Sequence, residues 1–436
     1  MIPPTKPERR LTLNSRLLPW LVGLLAVMQV VAPYRGWVIL LVGLGGLWLF
    51  CLGWAWMLAQ SLWVEREMRF GWAQVGDRLE ERFTLTNAGP LPALWVEIID
   101  HSTMPGYNPS RATGIGGTST SRWYSRGECR QRGIYTLGPT TVRSGDPFGL
   151  FTVAITNPDS ATFTVLPPIV SLPFIEVAAG GRAGEGRSRP DPFERTVSAS
   201  GVRPYLPGDS RASIHWPTSA RRSGLFVRTF DSMPSGDWWL VLDLDAAVQA
   251  GQNMDSTAEH AVILAASLAD RGLRLNRAVG LLAYGQELVW LPPRNDPSQR
   301  ERILRHLAVI TPGNRSLSDL LSRAVISTRQ AVSLVIITPA VDGSWIPALL
   351  PLLHRGAQAT VLLLDPQSFG GPASARPCQS TLTSLGVTVH RVTRDLLNRP
   401  DTRPGQRGRW DWRVTPTGRA RPGRQPGRLT WRRLGN

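Results

Sequence analysis

The sequence predicts a two-helix membrane anchor, an antiparallel β-sandwich-like domain and an α/β domain on a mostly parallel sheet. Three observations carry this. Two apolar runs, residues 17–32 and 36–59, lie near the N-terminus. Residues 62–172 show short stretches of period-two alternation separated by Gly, Pro and Asp turn signals, the pattern of half-buried antiparallel strands. Beyond residue 237, continuous apolar strands alternate with helical periodicity, which requires a sheet covered on both faces.

The anchor occupies residues 1–61. Its second run has 24 residues, about 36 Å as a helix and enough to span a bilayer; the first has 16, about 24 Å, which is short. Pro33, Tyr34 and Arg35 form the turn, and Trp20, Tyr34, Trp54, Trp56 and Trp63 bracket the runs as interfacial aromatics do. No small-x-small cleavage site ends the first run, so a transmembrane pair is preferred to a signal peptide. Lys6, Arg9, Arg10 and Arg16 precede the pair, Arg66 and Arg69 follow it, and only Arg35 lies in the turn. The positive-inside rule then places both ends in the cytoplasm. The expected location is the inner (cytoplasmic) membrane, multi-pass, with the soluble domains facing the cytoplasm.

Composition excludes some chemistry. The 436-residue chain carries a net charge of +17, and Lys6 is its only lysine among 49 basic residues. A phosphate-binding P-loop needs the lysine of GK[ST], and Schiff-base catalysis needs an amine, so neither is available beyond residue 6. Cys51, Cys129 and Cys378 stand at no zinc-finger or redox spacing, and there is no HExxH.

Within residues 62–172 the alternation is clearest at 79–86, where Leu79, Phe83 and Leu85 oppose Glu80, Arg82, Thr84 and Thr86. Further strands are expected at 94–99, 134–137, 151–155 and 161–166. Residues 104–120, rich in Gly, Ser and Thr, read as an exposed loop. The segment RQRGIYTLGPTTVRSGDPFGLF (130–151) places Gly133, Gly138 and Gly149 at tight turns and offers Tyr135, Leu137, Phe148 and Phe151 to a core. A flexible Gly- and Pro-containing linker follows at 173–200.

Residues 201–395 hold the α/β domain. Strands are expected at 238–242, 278–284, 332–338, 359–364 and 387–391, with helices at 255–270, 298–309, 318–328, 345–354 and 374–385. The strand ends Asp243, Tyr284-Gly285, Thr338 and Asp365 mark the rim where such sheets bind ligands. No GxGxxG follows the first strand, so a dinucleotide is not indicated. The domain opens on GVRPYLPGDSRASIHWPTSARRSGLFVR (201–228), five arginines against the single acid Asp209. Pro207-Gly208-Asp209 signals a turn, and Ile214, His215 and Trp216 read as a strand. Asp209 is expected to pair with Arg203, Arg211 or Arg221, and Tyr205 and Trp216 to pack at the domain boundary. Asp209, His215 and Ser219 supply acid, base and hydroxyl within eleven positions, but no nucleophile elbow surrounds them, and a structural histidine is the preferred reading.

GVRPYLPGD with IHW and SAR, RGIYTLGP with DPFGLF, and VLDLDAA (241–247) together resemble the bacterial domain-of-unknown-function-58 proteins. The resemblance runs over about residues 63–391, and the N-terminal span pair is also typical of that family. It identifies Arg203, Tyr205, Pro207, Gly208, Asp209, Arg211, His215, Trp216, Ser219 and Arg221 as a family signature, structural or partner-binding. Ala212 departs from it, standing where the family usually carries a basic residue. The resemblance implies a von Willebrand A-like, Rossmann-like α/β domain, whose relatives hold a divalent ion through a DxSxS loop, a threonine and a later aspartate. Here Asp243 matches the leading Asp, Asp245 and Ala247 replace the two serines, Arg315 falls at the threonine position, and Pro339 stands where the last aspartate is expected, with Asp342 beyond it. The metal site, Asp243 with Asp245, is thus degenerate. No cofactor is expected, Mg²⁺ being the lesser alternative to an ion pair of these carboxylates with Arg315.

Residues 396–436 form a basic tail expected to be disordered. Eleven arginines and two acids lie between 399 and 433, interleaved with Trp410, Trp412 and Trp431. Anionic lipid is favoured over nucleic acid as its partner. Family members are commonly associated with MoxR-type AAA+ ATPases. The resemblance therefore implies a membrane-anchored, cytoplasmic-facing interaction or scaffold protein rather than an enzyme. It would act with such an ATPase in assembly or maturation of membrane or envelope complexes. The alternatives are a hydrolase using Asp209, His215 and Ser219, or a nucleic-acid binder through the tail.

Overall fold

The computed structural model describes residues 7–170, 172, 175–178, 199–205, 214–222, 224–230, 237–327 and 332–396, with 411–414, 420–424 and 432–433. The chain divides into two compact units, Met1–Pro168 with Pro400–Asn436, and Ile169–Arg399.

The first unit opens on strand β1 (Glu8–Leu13), which runs into an antiparallel pair of apolar helices, α1 (Leu17–Val31) and α2 (Arg35–Ser61). Nine described strands follow α2 directly: β2 (Leu62–Met68), β3 (Trp72–Gln74), β4 (Arg78–Asn87), β5 (Ala93–Asp100), β6 (Arg111–Ile115), β7 (Ser119–Glu128), β8 (Gly133–Leu137), β9 (Thr140–Gly145) and β10 (Phe151–Asn157). A tenth, β11 (Ala161–Leu166), closes the set. One antiparallel sheet has the order β1-β10-β9-β5-β6, and in another β4 pairs with β7 along its whole length and with β2 over residues 81–87. Val64, Phe83 and Leu85 from the second sheet share one core with Val96, Ile98, Val142, Phe151, Val153 and Ile155 from the first. A smaller sheet, β3-β11-β8, has its own core around Leu137 and Phe163.

Helix α2 departs from the expected span over residues 36–59. Cys51, Ala55 and Leu58 recur at helical spacing and are fully buried in the core shared by the two sheets, with Trp48, Leu52 and Trp54 packed against it. One face of its last turns is therefore covered by strands, while Leu49, Phe50 and Trp56 on the other remain exposed. By length and composition α2 is the single described helix apolar enough to cross a membrane, and α1 is shorter. The base of the helix pair is fixed by the turn DPFGLF. Asp146 is buried and accepts from the Phe148 and Phe151 amides, Gly149 (φ +72°) reverses the chain, and Asn14 donates to the Gly149 carbonyl. Phe148 was expected in the core but is 62% exposed at the tip of this turn. Residues 104–120, expected as a loop, contain β6 and the start of β7, with Met104 and Tyr107 buried.

The second unit contains β12 (Ala199–Pro204), α3 (Trp216–Arg221), β13 (Phe226–Phe230), β14 (Trp238–Asp243), α4 (Thr257–Arg274), β15 (Val279–Tyr284), β16 (Leu288–Arg294), α5 (Pro297–Val309), α6 (Leu317–Ser327), β17 (Ser333–Thr338), α7 (Ile346–His354), β18 (Gln358–Leu364), α8 (Arg376–Ser384) and β19 (Thr388–Val392). Its six-stranded sheet has the order β16-β15-β14-β17-β18-β19, parallel except for the β16 edge. Side chains alternate across it. Trp239, Val241, Ile336 and Val361 share a core with α6, α7 and α8, and the opposite face of β14 is left to α4. Ser256 caps α4 by accepting from the Glu259 amide, half of the S-x-x-E capping box its sequence spells. Residues 175–178, read from sequence as flexible linker, dock on this unit: Ile175 is buried and the Ala178 amide donates to Thr360 Oγ1.

The tail also differs from expectation where it is described. β20 (Asp411–Val414) pairs with β21 (Ala420–Arg424), and β22 (Arg432–Arg433) adds to the edge of β2.

Candidate functional site

In the six-stranded sheet the chain leaves β14 toward β15 on one side and returns to β17 on the other. The carboxyl ends of β14 and β17 therefore form the switch point at which such sheets open a crevice. Asp243 ends β14 and is 2% exposed. Its Oδ2 accepts from the Thr338 hydroxyl at 2.5 Å and its Oδ1 from the Asp245 amide at 3.1 Å. Burial pushes the Asp243 carboxyl up to about 6; the Thr338 and Asp245 hydrogen bonds pull against this, and the Asp245 and Asp342 charges add to the rise. Thr338 is itself held, since its Oγ1 accepts from the Ala340 amide, whose carbonyl takes the Trp345 indole N–H.

Asp245 caps a short turn, its Oδ1 accepting from the Ala247 amide at 3.0 Å. Gln249 donates to the Asp243 and Asp245 carbonyls and accepts from Thr257 at the start of α4. The loop after α5 closes against this turn: the Ala246 amide donates to the Gly313 carbonyl and the Gly313 amide to the Leu244 carbonyl. A Cβ on Gly313 would lie 2.0 Å from the Gly285 carbonyl, and one on Gly285 1.9 Å from the Thr311 carbonyl, so only glycine admits this approach. Further along the rim, buried Asp365 accepts from the Ala375 amide and pairs with Arg391 at 2.9 Å.

This donor set does not fit a divalent ion. Both oxygens of Asp243 are engaged by Thr338 and a backbone amide, Ala247 supplies no ligand, and no three His, Cys, Asp or Glu side chains are grouped to hold a metal among the described residues. The expected ion pair is also replaced. Arg315 stacks over the Tyr284 ring, its guanidinium carbon 5.8 Å from the centroid, and neither Asp243 nor Asp245 pairs with a cation among the described residues. The Thr338 contact escaped sequence reasoning, although its place at a strand end was the available signal.

The signature residues are only partly brought together. β12 and β13 form a ribbon, with Tyr205 donating its amide to the Leu225 carbonyl and Ile214 bridging Val227. Trp216 begins helix α3, with Pro217 in its first turn, rather than continuing a strand; it is 65% exposed, not packed as expected. His215 caps that helix: its Nδ1 lies 2.8 Å from Thr218 Oγ1 and accepts from the Thr218 amide. Ser219 Oγ accepts from the Phe226 amide and faces its carbonyl. Arg221 is exposed. Pro207, Gly208, Asp209 and Arg211, with the expected Asp209 ion pair and the Arg203 side chain, lie outside the described residues.

A parallel α/β sheet with a loop-locked aspartate at its switch point, preceded by an apolar helix pair, is the class these features define. Residues 201–369, less than half of the chain, match the model of the family described as "Protein of unknown function DUF58". It is 25% identical over 257 residues to the uncharacterized protein YeaD of Bacillus subtilis, covering 57% of this chain and 63% of that relative. Among solved structures, an aerotolerance-related membrane protein from Bacteroides fragilis matches at 21% identity over 36% of this chain and 91% of its own, with a TM-score of 0.27. The CARDB domain of a Pyrococcus furiosus protein matches at 12% identity over 24% of this chain and 94% of its own, with a TM-score of 0.19. Scores this low define no shared architecture.

Proposed function

We propose that the chain is a membrane-anchored scaffold whose α/β unit, of von Willebrand A-like type, presents its carboxyl rim to a partner, a MoxR-type AAA+ ATPase, on the cytoplasmic side of the membrane. The observation that carries this is how the reactive side chains of this unit are used. Asp243 fixes a loop through Thr338 and Asp245, His215 caps α3, and Ser219 closes onto Phe226. Each is committed to holding surface shape, which suits recognition better than turnover. The hydrolase alternative loses support for the same reason, because the His215 and Ser219 side chains bond to different neighbours.

The apolar α1–α2 pair supplies the anchor, and the Arg-rich tail adds attraction to anionic lipid, about 1 kcal/mol per basic residue near such a surface. Affinity capture of the full chain from solubilised membranes, with a purified MoxR-type ATPase added, tests the partnership. Retention of the ATPase by the wild type and its loss on the exposed rim change Asp342→Arg are expected. Equal retention by both would remove the rim from the interface, and no retention by either would remove the partner.

A further inference from the structure

Two arginines on the same rim form no ion pair with an acid among the described residues. Arg315 and Arg323 place their guanidinium carbons 5.8 and 5.6 Å from the centre of the Tyr284 ring. With Tyr284, Asp319 and Ser322 they line an open cavity of about 300 Å³. Tyr284 ends β15 and is paired in register with Asp243, so the cavity sits beside the switch point.

The one carboxylate in the lining is Asp319, a single charge beside two arginines. Asp319 lies in the first turn of α6, where the helix dipole favours negative charge, and its amide donates to Ser316 Oγ. Ser322 donates its hydroxyl proton to the Ser318 carbonyl and so offers the cavity only lone pairs. The donors available to a ligand are therefore the two guanidinium forks and the Tyr284 hydroxyl. Cation–π contact orients each but leaves two like charges around one ring.

We propose that this cavity is an oxyanion site that takes a phosphate group, free or carried by an ester or lipid headgroup. A carboxylate satisfies one guanidinium fork, whereas a tetrahedral phosphate presents enough oxygens to receive two forks at once and carries the charge to offset both. The site does not depend on the ATPase partnership, and each fails separately.

Calorimetric titration of the full chain in detergent with inorganic phosphate tests it, with and without phosphatidylglycerol in the micelles. Saturable binding is expected. Arg315→Ala and Arg323→Ala should each weaken it about tenfold or more, as loss of a charged hydrogen-bond pair does. Removing the competing charge by Asp319→Asn should tighten it, a gain that misfolding cannot produce. Suppression of the phosphate heat by phosphatidylglycerol would identify a lipid headgroup as the source, and an unchanged heat a soluble phosphate. Absence of saturable heat in the wild type overturns the proposal. So does undiminished binding in the Arg315→Gln/Arg323→Gln double variant with an unchanged melting temperature, which would move the anion to other arginines.

Discussion

Asp243 illustrates how burial rather than charge partners sets a residue's role. Its carboxyl titrates near 6 in the folded chain against 3.8 in the unfolded one. Below pH 3.8 it is protonated in both states. Between the two values the folded chain holds the extra proton, so stability falls as pH rises through this window and levels off above it. Asp243→Asn keeps an oxygen for Thr338 without the charge. The variant should therefore gain about 2–3 kcal/mol on the wild type between pH 4 and 7. Urea denaturation at several pH values checks this, and parallel profiles for the two proteins would contradict it. Arg66 is the converse case. It makes a two-pronged pair with Glu81 at 2.6 and 2.7 Å and reaches Asp100 at 2.5 Å, with all three side chains buried. Tyr107 donates its hydroxyl to the same Glu81. Arg66→Met strands two carboxylates and should cost about 3–5 kcal/mol. Arg126→Met, which breaks an exposed contact to Glu80, should cost less than about 1 kcal/mol.

At the scale of elements, what the sequence showed depended on whether one face had to be buried. The helix α4 and strands β14, β17 and β18 were legible because continuous apolar runs and a capping box leave few alternatives. β1 was not: all six of its residues are solvent-accessible, and ERRLTL becomes a strand only by pairing with the edge of β10. An edge strand carries no amphipathic signal to read. Trp216 was read as the end of a strand with Ile214 and His215, but it starts helix α3, where Pro217 fits the first turn and the His215 side chain caps. The site was legible in outline, since Asp243 and Thr338 fall at strand ends. Their hydrogen bond joins residues 95 positions apart, and the Arg315 stack on Tyr284 depends on two glycine loops meeting; neither has a local signature. Helix α2 was read as lipid-facing throughout because apolar residues on a core face and on a membrane face look alike. Leu58→Ala, in the strand-packed turn, should cost about 2–5 kcal/mol of stability, against less than about 1 kcal/mol for Leu40→Ala on the exposed stretch. Thermal melting of both variants in detergent separates the two faces.

For the whole molecule, the decisive question is whether the helix pair crosses the bilayer or lies within one leaflet. Helix α1 has 15 residues, about 22 Å, against a hydrocarbon core of about 30 Å. Taken alone this favours shallow insertion. The tip argues the other way. Arg35 lies there, and leaving a guanidinium at mid-bilayer costs at least about 2.5 kcal/mol, more than fractions of a kcal/mol per Å of local thinning over a few Å. Exposed Trp20 near one end of α1 and Tyr34 at the tip fit two interfaces. The pair should therefore cross, with its tip on the face opposite the two folded units. The three native cysteines are all buried, so an introduced thiol can be followed against little background. An impermeant maleimide applied to intact cells should label Arg35→Cys and leave Arg122→Cys, on the exposed side of β7, untouched until the membrane is permeabilised. Labelling of Arg122→Cys alone would invert the orientation. Failure of both to label before permeabilisation, with both labelled after, would mean that the hairpin dips into the cytoplasmic leaflet without crossing it.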